Sequence, residues 1–396
     1  MANIDKFLRY VKIDTQSDDT TGTTPSTEKQ KDLSRLLVKE LKELGLEDAY
    51  MDEYGIVYAH LKGEGDKIGL NAHVDTALEV TGKNVNPQIH HYDGKDIKLN
   101  DQYTLSAKQF PILDRFVGCD LVTTDGTTLL GADDKAGIAI IMSVLEYLHN
   151  HPEVKHHNLS IAFTVDEEIG EGPKHFSLEK MDADYAFTVD GALIDCVDFE
   201  NFDAQGFEMT IQGVSVHPGE GKGKLINAIL VLNDFINNMP KNDTPFEAGY
   251  DDGYWHINDV SGSSDKVTIS MILRDFCREK LEKRDEIIKN NIKQLLEKYP
   301  GISIEYSFKE QYENMKKYVE KNPKPLKIAQ EAIRKNGLEP KSTKIRGGTD
   351  GATFSKMGLV TPNLGTGSYN HHGRFEFLVI QEYEKMIQIV LDIVKL

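Results

Sequence analysis

Three short apolar runs constrain the fold of this chain more than any other feature: IGLNAHV at 68–74, LSIAFTV at 159–165 and YAFTV at 185–189, each leading directly into an aspartate. Runs this short and this apolar read as buried strands rather than helices. A nearly all-apolar helical stretch from Ala136 to Leu148 separates the first two. Such alternation predicts a mostly parallel α/β sheet, whose strand ends are where ligands bind. Ahead of it, a helix beginning at Thr27, with Thr27 and Gln30 at capping-box spacing, carries Leu33, Leu36, Leu37, Leu41 and Leu44 along one face until Gly45 stops it.

Between about Gly206 and Tyr312 the pattern changes to strand (FEMTIQG), helix (LINAILVLNDFI), two strands (YWHINDV and KVTISMILRDF), a long charged helix over 279–298 and a last strand (ISIEYSF). This β-α-β-β-α-β order is that of a ferredoxin-like unit. The expected fold is therefore α/β: a mostly parallel mixed-sheet catalytic domain built from 1–205 and 313–396, with an inserted ferredoxin-like α+β lid domain over 206–312. A length of 396 residues accommodates two domains.

Charge excludes some functions. With 46 Lys and Arg against 64 Asp and Glu, the formal charge is −18, which repels nucleic-acid phosphates and anionic lipid. Residues 1–16 mix charge with apolar residues and lack the apolar centre of a signal peptide. No stretch approaches the ~20 apolar residues of a membrane span. Cys119, Cys196 and Cys277 are far apart and form no C-x-x-C pair, so they read as reduced thiols of a cytoplasmic protein.

The chemistry-bearing residues cluster at strand ends and turns. His73 and Asp75 point to one face of their strand, so that the carboxylate can orient a metal-bound imidazole, or simply hydrogen-bond a structural histidine. GADDKAG places Asp133 and Asp134 at the start of the apolar helix, where one of them serves as an N-cap. Asp166, Glu167 and Glu168 crowd a strand end, at a cost unless a cation or solvent separates them. Asp190 ends its strand before a glycine, as a ligand or as a turn initiator. His371 and His372 share a glycine-bounded loop, and only one of two adjacent side chains is expected to point inward. His149, His151, His156 and His157 read as a solvated loop. His217 in SVHPG and Arg346 in RGGTDGA stand in turns that can grip an anion. The chain has no G-x-S-x-G elbow, P-loop, H-E-x-x-H pair, EF-hand loop or G-x-G-x-x-G after a strand. What remains is an Asp, Glu and His set suited to Zn²⁺, Mn²⁺ or Co²⁺. Two such ions about 3.5–4 Å apart, bridged by one carboxylate and one water, would generate hydroxide at neutral pH, with a non-ligand glutamate as proton carrier.

The order HVDT, GADDKAG, DEE, TVDG, NHHG resembles the M20 metallopeptidase family, and within it the tripeptide aminopeptidases. The likeness extends from near residue 4 to near 385 through GKNVNPQI, TTDGTTLLGADDKAG, AFTVDEE, KHF, FEN, VHPG, IRGGTDGA and MGL. It implies two Zn²⁺ per subunit, with Co²⁺ or Mn²⁺ able to substitute. Asp133 would bridge them, His73 and Asp190 completing one coordination shell and Glu168 and His372 the other. Asp75 would hold His73, and Glu167 would act as general base toward a bridging hydroxide. The same resemblance makes His217 the lid histidine that reaches the reacting carbonyl after closure. Arg274 and Arg346 become the carboxylate-binding arginines. His371 takes the place of an aromatic residue and is expected to line the site without ligating. The implied activity releases the N-terminal residue of a tripeptide. A dipeptidase or an N-acyl amino acid deacylase of the same family would share every ligand. The expected partner is a small peptide, with no nucleic acid and no membrane; a homodimer is left open.

Overall fold

The apolar runs pair side by side as strands. The computed structural model describes residues 4–396 in two units: residues up to Phe199 with Met315–Thr343 and Thr349–Leu396, and Glu200–Asn314 with Lys344–Gly348. Residues 1–3 of the N-terminal segment lie outside the description, and Ile4–Tyr10 is a short helix packed on the long apolar helix.

The first unit is built on a seven-stranded sheet in the order Tyr50–Met51, Val57–Leu61, Asn158–Thr164, Lys67–His73, Tyr185–Gly191, Asn363–Gly365, Val197–Asp198. The four central strands run parallel and the outer ones antiparallel. Near-continuous burial of these four strands matches their unbroken apolar sequence, because a parallel sheet has no solvated face. Register aligns His73 with Thr164 and Asn71 with Thr188, so three strands deliver their C-terminal residues to one edge. The helix Ala132–Asn150 lies on Lys67–His73 and Tyr185–Gly191, and the final helix Ile380–Val394 packs against it in turn. Gly137 permits the first of these contacts: a Cβ there would sit 1.8 Å from the Val189 carbonyl oxygen.

The amphipathic helix begins at Gln30, not at Thr27, and no side chain caps it. The capping-box spacing misleads because the Gln30 amide is used elsewhere, donating to Asp166 at 2.6 Å.

In the second unit Asp203–Gln212, Tyr254–Gly262, Lys266–Asp275 and Ser303–Tyr312 form an antiparallel sheet. Numbered along the chain its strands lie in the order 2-3-1-4, with helices Ala228–Asn238 and Arg278–Lys298 packed on it, which is the ferredoxin-like topology. Their shared core includes Phe207, Phe235, Leu273, Leu281 and Ile288. Lys344–Gly348 belongs to this unit, Lys344–Ile345 pairing in parallel with Glu200–Asn201. That segment therefore falls outside the catalytic block expected over 313–396.

Candidate metal centre

The C-terminal ends of the parallel strands Lys67–His73 and Tyr185–Gly191, the 3₁₀ turn after Asn158–Thr164, the start of the helix Ala132–Asn150 and the turn after Ser368–Tyr369 bring His73, Asp190, Glu168, Asp133 and His372 together in the first unit. Two groups of three can each hold an ion, with ligand atoms within 4.8 Å of one another: His73, Asp133 and Asp190, and Asp133, Glu168 and His372. Asp133 is common to both. Its Oδ1 lies 3.0 Å from His73 Nε2 and its Oδ2 3.3 Å from His372 Nε2. His73 Nε2 is 3.5 Å from Asp190 Oδ1, and His372 Nε2 is 3.0 Å from Glu168 Oε2.

Each imidazole has a carboxylate behind it. His73 Nδ1 stands 3.3 Å from Asp75 Oδ1, and His372 Nδ1 stands 3.4 Å from Glu79 Oε1. Partners on the far nitrogen fix the tautomer and the ring orientation of a ligating histidine. Asp75 does more than orient His73. Its two oxygens accept the backbone N–H groups of Glu167 at 3.1 Å and Glu168 at 3.2 Å.

The three crowded acids are separated by backbone geometry. Asp166 adopts a left-handed conformation, φ +57°, and its carboxylate turns away to accept from Ser26 N, Ser26 Oγ and Gln30 Nε2 at 2.5–2.7 Å. Glu167 and Glu168 then follow on a short 3₁₀ turn. Glu167 Oε2 lies 3.9 Å from His73 Nε2, inside the cluster but in neither ligand group.

Asp133 and Asp134 part company likewise. Neither has helical dihedrals, and Asp134 turns back to accept from the N–H groups of His73 and Gly137 at 3.3 and 3.1 Å. Asp134 is thus the helix-end acceptor that sequence alone could not tell from Asp133.

His371 and His372 both face the cluster. The general expectation that only one of two adjacent side chains points inward does not hold here, because His372 is left-handed, φ +62°, a conformation costing about 1–3 kcal/mol for a side chain of this kind. His371 Nδ1 lies 3.5 Å from Asp133 Oδ2 and its Nε2 is 2.8 Å from Ser368 Oγ, so it lines the site outside the two groups.

The electrostatics call for a cation. Burial, with the negative charge of Asp133, pushes Asp190 up to about 6 and Glu168 up to about 8. Burial, with Asp190 and Asp350 nearby, also drives Glu167 well above the usual carboxylate range. Burial alone would discharge the imidazoles, but Asp190 and Asp133 hold His73 well above its ordinary value, and hydrogen bonds to Asp133 and Glu168 lift His372 to about 12. Asp133, although buried, is held low by the charge of His371 and by hydrogen bonds to His372 and His73. Protons are retained to offset crowded negative charge, and a divalent ion does this better. Glu168 Oε1 supplies a second sign: it is buried with no hydrogen-bond partner among the described residues. Imidazole nitrogens and carboxylate oxygens without thiolate fit Zn²⁺, Co²⁺ or Mn²⁺. The three cysteines are unpaired and outside both groups.

The other sequence candidates belong to the second unit. His217 is exposed in a turn, and its Nδ1 accepts from Gly219 N at 3.2 Å, so the neutral ring carries its proton on Nε2, as a donor. Arg274 is buried, its Nη1 donating to the carbonyls of Gln205 and Leu273 and its guanidinium lying over Tyr312. Arg346 Nη1 donates to the carbonyls of Gly249, Tyr250 and Asp252, with the rings of Phe202, Tyr250 and Tyr254 around it.

Sequence reasoning missed three buried groups of the first unit, Lys135, Asp350 and Glu376, and the role of a fourth, Asp166. Lys135 is 1% exposed, donates to the Ile13 carbonyl at 2.7 Å and is brought down by burial to about 8. Asp350 accepts from Thr164 Oγ1 at 2.5 Å, and burial raises it to about 6. Asp166 and Glu376 accept main-chain N–H groups. A lone lysine in an apolar helix and a lone glutamate between Phe375 and Phe377 were the available signals.

Comparison with known proteins identifies the family and the fold. The profile described as Peptidase family M20/M25/M40 matches residues 124–396, and the chain belongs to that family of metallopeptidase hydrolases. Peptidase T of Clostridium perfringens is 46% identical to it over 99% of this chain and 98% of its own. The crystal structure of aminopeptidase PepT from Bacillus cereus shares the fold at TM-score 0.78 and 22% identity, covering 99% and 96% of the two chains. A tripeptidase from Staphylococcus aureus does so at TM-score 0.79 and 23% identity, with the same coverage.

Proposed function

We propose that this chain is a tripeptide aminopeptidase working with two zinc ions, one held by His73, Asp133 and Asp190 and the other by Asp133, Glu168 and His372. The observation that carries the reading is the pair of ligand groups meeting at Asp133. The names of the relatives, Peptidase T and tripeptidase, point to the same activity. Cations held by these residues would supply Lewis-acid chemistry, making a water more acidic and polarising the scissile carbonyl.

The chain's own residues do the rest. Glu167 accepts the water's proton and delivers it to the departing amine as the C–N bond breaks and a C–O bond forms. Burial and neighbouring carboxylates raise its proton affinity toward that task. Asp75 keeps Glu167 and Glu168 in place through their N–H groups and His73 through its Nδ1. The carboxylate-rich cluster also suits the substrate's free ammonium group. To the second unit the reading assigns substrate contacts: His217 donates Nε2–H to the developing oxyanion, and Arg274 and Arg346 receive the C-terminal carboxylate. Because the Nη1 of each arginine is given to carbonyls, that role falls to the remaining donors of each fork.

No helix among the described residues is long and apolar enough to cross a membrane, and the reading places the enzyme in the cytoplasm. The test is a digest of di-, tri- and tetrapeptides by metal-reconstituted enzyme, with products identified. A free tripeptide should yield an amino acid and a dipeptide. Equal hydrolysis of N-acetylated peptides would assign a deacylase activity instead.

A further inference from the structure

Glu376 is 1% exposed, and both its oxygens are turned onto the turn that precedes the long helix. Oε2 accepts from Leu130 N at 2.8 Å and from Gly131 N at 2.7 Å, while Oε1 accepts from Asp133 N at 3.0 Å. Charge-assisted bonds of this length are among the stronger ones a protein makes. They converge because Gly131 is left-handed, φ +76°, and Asp133 is non-helical, which aims these three N–H groups to one side. Asp134 accepts from Gly137 within the helix's own sequence, whereas the N–H groups of Leu130, Gly131 and Asp133 are met by an acceptor more than 240 residues away.

Glu376 also stands at the base of the loop that carries His372 at its tip. That loop is closed on itself: Asn370 Nδ2 donates to the Phe375 carbonyl at 3.2 Å and Glu376 N to the Gly373 carbonyl at 3.3 Å. Phe377 then enters the strand Phe377–Val379, paired with Asp120–Thr123. One carboxylate therefore ties the backbone of the shared ligand, Asp133, to the loop bearing a ligand of only one group.

We infer that Glu376 is a positioning residue that sets the spacing of the two ion sites by clamping the Asp133 turn to the His372 loop. The inference rests on the reading of Asp133 as the shared ligand. It makes a distinctive demand: a residue that ligates neither ion must affect both. Gln in its place keeps the shape but sets an amide N–H against main-chain N–H groups, which releases the turn.

The experiment titrates metal-free wild type, Glu376→Gln, His372→Ala and Asp133→Asn with Zn²⁺, reading bound metal per chain, alongside thermal unfolding of each metal-free protein. Ile387→Val, in the buried face of the final helix, controls for lost stability alone. Expected for Glu376→Gln is a 10–100-fold rise in both dissociation constants, against loss of chiefly one ion in His372→Ala and none in Ile387→Val. Wild-type affinity at both sites in a folded Glu376→Gln overturns the inference, as does weakening of one site alone. If Asp133→Asn retains both ions, the shared-ligand reading falls first, whatever Glu376→Gln does. Should Glu376→Gln not fold, Glu376→Asp, too short to reach all three N–H groups, replaces it with the same two readings.

Discussion

Asp75 holds Glu167 by its backbone, one carboxylate oxygen accepting the N–H at 3.1 Å, while the same side chain faces His73 Nδ1. The proposed base and a proposed ligand therefore depend on one buried carboxylate. Asp75→Asn removes the charge and reverses one acceptor, so Zn²⁺ affinity should fall 10–100-fold. Turnover at saturating metal should fall as well, because Glu167 loses its anchor. Metal titration and kcat, measured on the same preparation, check both; a change in neither would mean that Asp75 serves only the fold.

Glu167→Gln keeps the shape of the side chain and removes the proton acceptor. Metal content should stay at the wild-type level while kcat falls by about 10²–10⁴. Glu168→Gln should instead lower metal content, since its Oε2 meets His372 within a ligand group. The reverse pattern would exchange the two roles.

Metal-free protein should lose stability as pH rises. Glu168 is raised from 4.5 to about 8, so its contribution is full below about pH 4.5 and is lost on approach to pH 8. Raised His73 and His372 act in the same sense above about pH 6.5. Asp133 is lowered and acts oppositely, but only below its ordinary value of 3.8. Tm of the chelated protein should accordingly fall between about pH 5.5 and 8, and Zn²⁺ uptake in that range should release protons. Calorimetry in two buffers of different ionisation enthalpy measures the release. A Tm of the chelated protein that rises with pH would contradict the assignment.

Gly137→Ala tests the seat of the apolar helix. The added Cβ meets the Val189 carbonyl, a main-chain atom that cannot rotate aside, one residue before Asp190. A loss of about 1–3 kcal/mol is expected. Weaker metal binding should accompany it, since the displaced segments carry Asp133 and Asp190. Denaturant unfolding with metal titration separates the two effects.

Substrate length should be read between two charged ends. Amidation of the C-terminus should weaken kcat/KM by about 1.5–3 kcal/mol, and N-acetylation at least as much. Steady-state kinetics on blocked and free tripeptides decides it, and equal rates would remove both end contacts.

The local chemistry of this chain is written in its sequence. Apolar runs ending in aspartate place strands and their ligand-bearing ends, and the β-α-β-β-α-β order is read from periodicity, because burial on a strand or helix leaves a repeating pattern in the residues themselves. Aspartates, glutamates and histidines at strand ends and turns were legible as candidates for the same reason, while the particular set 73, 133, 168, 190 and 372 came from the resemblance to the M20 family. Tertiary structure decided which neighbour does what. Asp133 parts from Asp134, Asp166 turns away from Glu167 and Glu168, and His371 and His372 both face the cluster through left-handed and non-helical backbone, which sequence periodicity does not record. Glu376, the role of Asp166 and the second role of Asp75 were invisible in sequence because each acts on main-chain N–H groups far away in the chain. An N–H group carries no side-chain signature, so only the folded geometry reveals which carboxylate it meets.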